Sequence, residues 1–262
     1  MLPFLHIGPL TIPLYGLMIT TGVAAGALLI WLRSRSLHFN FEDGLYTLAY
    51  GMVGMAVGSK LLYLIQSLPQ LPLYVDEIRA DPTQLFSLLT SGFVFYGGLI
   101  GGIAGVLIYS RQYHIPFRES IDRLAPVIPF IHAFGRIGCF CAGCCYGIPY
   151  DGPLSVTFTQ SIAAPNGVPL FPVQLLESLL LFGLAAGLLL YERRAKQPRS
   201  LIAWYLLGYG LIRMITEAFR GDQVRGIYWL LSTSQWISVL MIAIALALLL
   251  RRPRIPESEP IV

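Results

Sequence analysis

Long apolar runs separated by short polar breaks set the pattern of this chain. A helix needs roughly 17–25 mostly apolar residues to cross the hydrocarbon of a bilayer. Seven stretches read that way, near Leu10–Leu32, Leu45–Gln66, Gly92–Tyr109, Ile121–Phe140, Val173–Tyr191, Leu201–Phe219 and Trp236–Leu250. The fourth is interrupted by Pro126 and Pro129, which lack the N–H that a helix interior uses. The pattern predicts an all-α integral membrane protein of about seven transmembrane helices. It also predicts one polytopic domain over residues 1–262, with its longest connecting loops near 67–91 and 146–172.

Composition agrees with a bilayer as the solvent: 55% of residues are hydrophobic and 12% charged, against about 25% charged in a soluble domain. Charge then gives direction. Of the 18 Lys and Arg, eleven fall in one set of loops: Arg33, Arg35, Arg111, Arg118, Arg193, Arg194, Lys196, Arg199, Arg251, Arg252 and Arg254. Arg79, Arg220 and Arg225 lie on the other side. Positive residues stay cytoplasmic, so the N-terminus is expected outside, in the periplasm, and the C-terminus in the cytoplasm. Met1–Leu10 lacks a positive n-region and is not expected to be a cleaved signal peptide. The net charge of +4 is explained by inner loops facing anionic lipid, and no nucleic-acid partner is expected. Both long loops face outward, which is where chemistry is expected.

Arg136 stands in the run His132-Ala-Phe-Gly-Arg-Ile-Gly-Cys-Phe-Cys-Ala-Gly-Cys-Cys-Tyr-Gly147, which also holds all four cysteines. An arginine at the centre of a membrane helix costs about 2.5–3.5 kcal/mol on insertion scales, so it is kept mainly where it meets a partner. Tyr209, Arg213, Glu217 and Arg220 follow at i, i+4, i+8 and i+11, a polar stripe on one face of an apolar helix. Two arginines against one glutamate leave positive charge for an anionic ligand. The plainer readings are an Arg213–Glu217 ion pair, and Arg220 reaching to the interface. In the third span, glycines recur at four-residue spacing from Gly97, as do Gly51, Gly54 and Gly58 in the second, the signature of close helix packing. Tyr96, at the head of that stripe, fits either a cleft or an interfacial aromatic belt.

These residues resemble the prolipoprotein diacylglyceryl transferase family along nearly the whole chain. The resemblance rests on five elements in order: Leu5-His-Ile-Gly-Pro-Leu followed by Tyr15-Gly-Leu-Met, Gly97-Gly-Leu-Ile-Gly, Gly135-Arg-Ile-Gly138, Pro172-Val-Gln-Leu-Leu-Glu177, and the Tyr209–Arg220 stripe. It implies a multi-pass protein of the bacterial inner membrane. The implied reaction transfers the diacylglyceryl group of phosphatidylglycerol to the lipobox cysteine of a preprolipoprotein signal peptide, forming a thioether and releasing glycerol phosphate. No cofactor and no metal are implied. Arg136 and Arg213 match the family's essential arginines, and with Arg220 would hold phosphate. Tyr15, Tyr209 and Glu217 match further functional positions, and Tyr96 stands at one. Gly97, Gly98, Gly138 and Gly147 would line the lipid site, with Gln174 and Glu177 as orienting residues.

The departures from the family pattern cluster around the nucleophile. Tyr96 stands where the family usually has histidine, Cys139 replaces an asparagine, Cys144 an acid, and Leu176 a tyrosine. Free tyrosine titrates near pH 10, which makes it a poor base at neutral pH. Four readings stay open for Cys139, Cys141, Cys144 and Cys145: inert packing, a disulfide such as Cys141–Cys144, a metal site, or a catalytic thiol. A structural zinc site usually draws its pairs from separated segments, so no metal is expected. Two alternatives accompany the transferase reading: a related lipid transferase with a different acceptor, and a membrane thiol oxidoreductase using the cysteine run.

Overall fold

A computed structural model describes residues 3–37, 39–70, 81, 83, 92–195, 200–222, 227–229 and 231–250. Most of the loop expected near 67–91 lies outside these residues, including Asp76, Glu77 and Arg79, as do Lys196, Arg199, Arg225, Arg251, Arg252 and Arg254. Among the described residues the longer helices are α1 (Leu14–Leu37), α2 (Phe41–Ser67), α3 (Phe95–Gln112), α4 (Phe117–Leu124), α5 (Val127–Ala142), α6 (Val173–Arg194), α7 (Leu201–Glu217) and α8 (Thr233–Leu250). Each of the seven apolar stretches overlaps one of them, except the fourth, which overlaps both α4 and α5. The fourth is broken at Ala125–Pro126, as its prolines suggest.

Four helices, α1, α2, α6 and α8, are long and apolar enough to cross a membrane, and five spans result if α4 and α5 count as one broken span. The chain is therefore a multi-pass α-helical membrane protein. The remaining two candidates fall short for visible reasons. Helix α3 carries five glycines and ends Ser110-Arg111-Gln112, and α7 has 17 residues with Arg213 and Glu217 among them.

The chain divides into two compact units. In the unit Ile30–Leu124, α2 starts at Asn40, whose side chain accepts from the Glu42 N–H at 3.1 Å, with Glu42 and Asp43 favouring the positive end of the helix. Helices α2 and α3 touch through glycine. A Cβ built on Gly54 would lie 2.2 Å from the Gly101 carbonyl, and one on Gly97 2.3 Å from the Gly58 carbonyl, so only glycine permits this approach. At the Asp43 end the Tyr109 hydroxyl donates to Asp43 at 3.0 Å, and Arg123 pairs with both Asp43 and Glu119.

The other unit, Met1–Leu29 with Ala125–Val262, begins with a hairpin, β1 (Phe4–Ile7) against β2 (Leu10–Pro13), turned at Gly8 with φ +60. This corrects the first span: Leu10–Pro13 is strand, and the helix starts at Leu14. Gly22 and Gly26 of α1 admit Phe134 and Ile131 of α5. Helix α6 lies between α5 and α7, and α8 packs on α7. The rings of Phe130, Phe134 and Phe182 meet at 5.4–5.5 Å, and Ser178 donates to the Ala133 carbonyl at 3.0 Å.

The segment between α5 and α6 folds into a small cap of its own. Its strands β3 (Val156–Thr157) and β4 (Pro169–Leu170) pair antiparallel, and Phe158, Ala164 and Leu170 are buried there against Phe140 and Tyr146. A short hairpin, β5 (Ile227–Tyr228) with β6 (Leu231–Ser232), leads into α8.

Candidate active site

Helix α5 places Arg136 one helix-width from Glu177 in the second turn of α6. The Arg136 Nη2 lies 2.9 Å from Glu177 Oε1, an ion pair without the alignment of a hydrogen bond. The other Glu177 oxygen faces Arg213 Nη1 of α7 at 3.4 Å, and Arg213 Nη2 donates to Glu217 at 2.7 Å. The Ser232 hydroxyl donates to the second Glu217 oxygen at 2.9 Å, and Arg213 reaches Ser234 at 3.4 Å. Three helices and the start of a fourth thus converge on one chain of charges, Arg136–Glu177–Arg213–Glu217.

Glu177 is 1% exposed and lies between both guanidiniums. A buried charge without its partner is costly, on the order of 3–5 kcal/mol when the partner is removed. The network corrects one expectation from the sequence. Among the described residues Arg213 faces both Glu177 and Glu217, and Arg220 pairs with Asp222, so the surplus of positive charge expected of the Arg213–Glu217–Arg220 stripe is neutralised by protein carboxylates. Donors do remain: Arg136 Nε and Arg220 Nη1 are buried with no hydrogen-bond partner among the described residues. Beside Arg136, a Cβ built on Gly135 would meet nothing within 4 Å.

Arg220 is corrected as well. Instead of reaching out to an interface, it is buried in a two-pronged pair with Asp222, Nε to Oδ1 at 2.8 Å and Nη2 to Oδ2. The helix ends at Glu217, and Arg220 bridges to Gly147, with Ile148 N–H bonding the Phe219 carbonyl and Gly221 N–H the Tyr146 carbonyl, each at 3.0 Å. A Cβ on Gly147 would lie 2.2 Å from the Phe171 carbonyl, so this glycine fastens the cysteine-rich turn to the end of α7.

Tyr209, one turn before Arg213, stacks on Tyr205 and meets the His132 ring at 5.4 Å. Tyr15, at the start of α1, packs over Gly138, where an added Cβ would lie 3.2 Å from its ring. Tyr96 belongs to the other unit, at the second position of α3, 44% exposed with its ring edge on Phe95. Gly97 and Gly98 face Gly58, Ser59 and Met55 of α2, which is a packing contact.

The cysteines are all free thiols, and the pair that the sequence offered for a disulfide, Cys141 and Cys144, is not the set that converges. Helix α5 closes on Gly143 at φ +68, with Cys144 N–H bonding the Cys139 carbonyl at 3.0 Å and Gly143 N–H the Phe140 carbonyl at 3.2 Å. This Schellman closure sets the residue after the glycine over the one five positions back, here Cys144 over Cys139. Cys145 follows at φ +55, and the Sγ atoms of Cys139, Cys144 and Cys145 lie within 4.8 Å of one another. Hydrogen bonds from Cys139 and Cys144, with the Arg220 and Arg136 guanidiniums adding their charge, hold the Cys145 thiol below its ordinary range.

With this arrangement in view, the comparison with known proteins is decisive: the family pattern of prolipoprotein diacylglyceryl transferases matches residues 3–251. The chain belongs to that family. A phosphatidylglycerol–prolipoprotein diacylglyceryl transferase of Clostridium tetani is 38% identical over 233 residues, covering 88% of this chain and 90% of that protein. One designated transferase 2, from Clostridium perfringens, is 34% identical over 87% of this chain and 86% of its own length. Another from Bordetella bronchiseptica is 34% identical, covering 97% and 95%. Membership in a transferase family sets the oxidoreductase alternative aside. What the sequence reading of this family member underweighted is Glu177. Its signal was available: the one charged residue in the mostly apolar Val173–Leu190 run. Ser232, Ser234 and Asp222 had no comparable signal, since short polar side chains at helix ends are common.

Proposed function

We propose that this chain transfers the diacylglyceryl group of phosphatidylglycerol to the lipobox cysteine thiol of preprolipoproteins, leaving a thioether and releasing glycerol phosphate. Membership in the family and the names of relatives that cover nearly the full length support the reaction class. The observation that carries the site assignment is the bridge of Arg136 and Arg213 on one buried carboxylate, beside open space at Gly135.

The reaction breaks a carbon–oxygen bond, so the phosphate leaves with one more negative charge than it held as a diester. Fixed donors aimed at that charge stabilise the transition state more than the ground state. Glu177 holds the two guanidinium planes in place before substrate arrives, and Arg136 Nε is a donor that no protein group uses among the described residues. Planar guanidinium suits phosphate through paired N–H···O bonds, which lysine does not reproduce. Glu217, held by Arg213 and Ser232, fixes the far end of the same chain. Tyr15 and Tyr209 flank this chain and orient the glyceryl portion.

In the same reading all seven apolar helices span the bacterial inner membrane, with the N-terminus and the cysteine-rich turn at the periplasmic face and the C-terminus in the cytoplasm. The inner-loop arginines support that direction. The test is incubation of the purified chain with phosphatidylglycerol and a lipobox peptide, followed by mass. A diacylglyceryl adduct is expected. A preparation that binds the lipid and yields no adduct overturns the assignment.

A further inference from the structure

The thiol trio of Cys139, Cys144 and Cys145 makes none of the ion pairs of the arginine network, yet the fold brings it together. Three features of the backbone act on it. The Schellman closure at Gly143 sets Cys144 over Cys139. Cys145 holds φ +55, a region that residues other than glycine enter rarely. The turn is then pinned from outside: Gln174 of α6 donates to the Cys144 carbonyl at 2.9 Å, and Gly147 is clamped against Phe171 and Phe219. The left-handed conformation at Cys145 accompanies the convergence of its thiol with the other two.

The dimensions suit a tetrahedral cation. Zinc binds thiolate sulfur at about 2.3 Å, which puts any two sulfurs about 3.8 Å apart. The three Sγ atoms already lie within 4.8 Å of one another, so closure on an ion takes a shift of about 1 Å or less, within rotamer adjustment. Among the described residues no fourth His, Cys, Asp or Glu joins the group, and the Cys144 and Cys145 thiols are partly exposed. Three protein ligands with one open position is the arrangement of reactive zinc sites, whereas structural sites are closed by four. Charge is also provided for. Three thiolates on a dication carry one net negative charge, and both Arg136 and Arg220 act electrostatically on Cys145.

We propose that Cys139, Cys144 and Cys145 bind one zinc-class divalent cation as a three-thiolate site, and that its open fourth position takes the acceptor thiol. This rests on the transferase reading above. The acceptor, R–SH, binds the ion as thiolate and loses its proton to solvent, because coordination deprotonates a thiol outright. The sulfur electron pair then attacks the glyceryl carbon that carries the phosphate, and the carbon–oxygen bond breaks with its electrons going to the phosphate oxygen. Thioether and glycerol phosphate result. The neutral thioether is a weak ligand and leaves the ion. Cys139 lies three residues beyond Arg136 on one face of α5, so the thiolate forms beside the group that grips the leaving phosphate. The same assignment accounts for the departures from the family pattern. Positions 139 and 144 both supply ligands, and no histidine is required at Tyr96 to remove the thiol proton.

The test uses the full-length purified chain, first confirmed to transfer as isolated; failure there strikes the transferase reading and leaves the metal site to the binding arm. Cobalt(II) titrated into chelator-stripped protein should saturate at one equivalent with a thiolate-to-cobalt charge-transfer band, displaced by zinc. Cys145→Ser should weaken this band, and Cys139→Ser/Cys144→Ser/Cys145→Ser should lose it. Adding lipobox peptide should change the band as a further thiolate joins, while a peptide with Ser for the lipobox Cys should not. Stripped protein should transfer more slowly by on the order of 100-fold, the contribution of a lost base, and zinc should restore it. No stoichiometric band, or a band unchanged in the triple variant, overturns the site. A band indifferent to peptide, or full transfer by stripped protein, overturns the role of the open position.

Discussion

The two units solve opposite problems with the same device, a stripe of special residues at helical spacing. In α2 and α3 the stripe is glycine, and backbones meet because side chains are missing: Gly54 against Gly101, Gly58 against Gly97. In α5, α6 and α7 the stripe is charged, and the helices meet through Arg136, Glu177, Arg213 and Glu217. The first contact gains dispersion and tolerates nothing larger than hydrogen. The second carries a desolvation cost that packing alone would avoid, since a buried ion pair is often no more stabilising than apolar residues of the same volume. A network kept in spite of that cost points to chemistry, and a glycine seam points to assembly.

Substitutions in each stripe should therefore fail in different assays. The largest effect is expected at the arginines: Arg213→Ala or Arg136→Ala should lower transfer by at least 10²–10³-fold, the scale of losing one preorganised donor. Protein that still folds but retains more than a tenth of wild-type turnover would break the contrast. Next comes Glu177→Ala, which strands two buried guanidiniums and should reduce stability by about 3–5 kcal/mol as well as turnover. Glu177→Gln, keeping the shape, should recover part of the stability and little of the rate; thermal unfolding and initial rates on one preparation separate the two.

Gly54→Ala tests the other stripe. Its Cβ would meet the Gly101 carbonyl at 2.2 Å, and overpacking of this kind costs about 1–3 kcal/mol. The melting temperature should fall while turnover per folded molecule holds. A catalytic loss larger than the loss of folded protein would show that the glycine seam serves chemistry. The smallest effect is expected from Tyr96→His. If thiol activation does not depend on position 96, initial rates should change by less than about tenfold, well below the contribution of a general base.

Much of this was legible in the sequence, unevenly. Apolar runs near the thickness of a bilayer are readable because the solvent dictates them, and helices appeared in all seven. The glycine and Tyr209–Glu217 stripes were readable because helical spacing fixes which residues share a face. The hairpin Phe4–Pro13 was not, since Leu10, Ile12 and Leu14 read as the head of the first span and only Pro13 stands where strand gives way to helix. Glu177 as the centre of the network needed a partner helix that one sequence does not place. The cysteine trio was hidden for another reason: Cys-x-x-Cys spacing drew the eye to Cys141 and Cys144, while a helix-end closure at Gly143 joined Cys139, Cys144 and Cys145 instead.

The central claim is that the Arg136–Glu177–Arg213 bridge is the transferase site. Its most direct test is the mass of a lipobox peptide incubated with phosphatidylglycerol and either the wild-type chain or Arg213→Ala. A diacylglyceryl adduct from the wild type, and none from the variant over the same time, is the predicted result. An undiminished adduct from Arg213→Ala would contradict it.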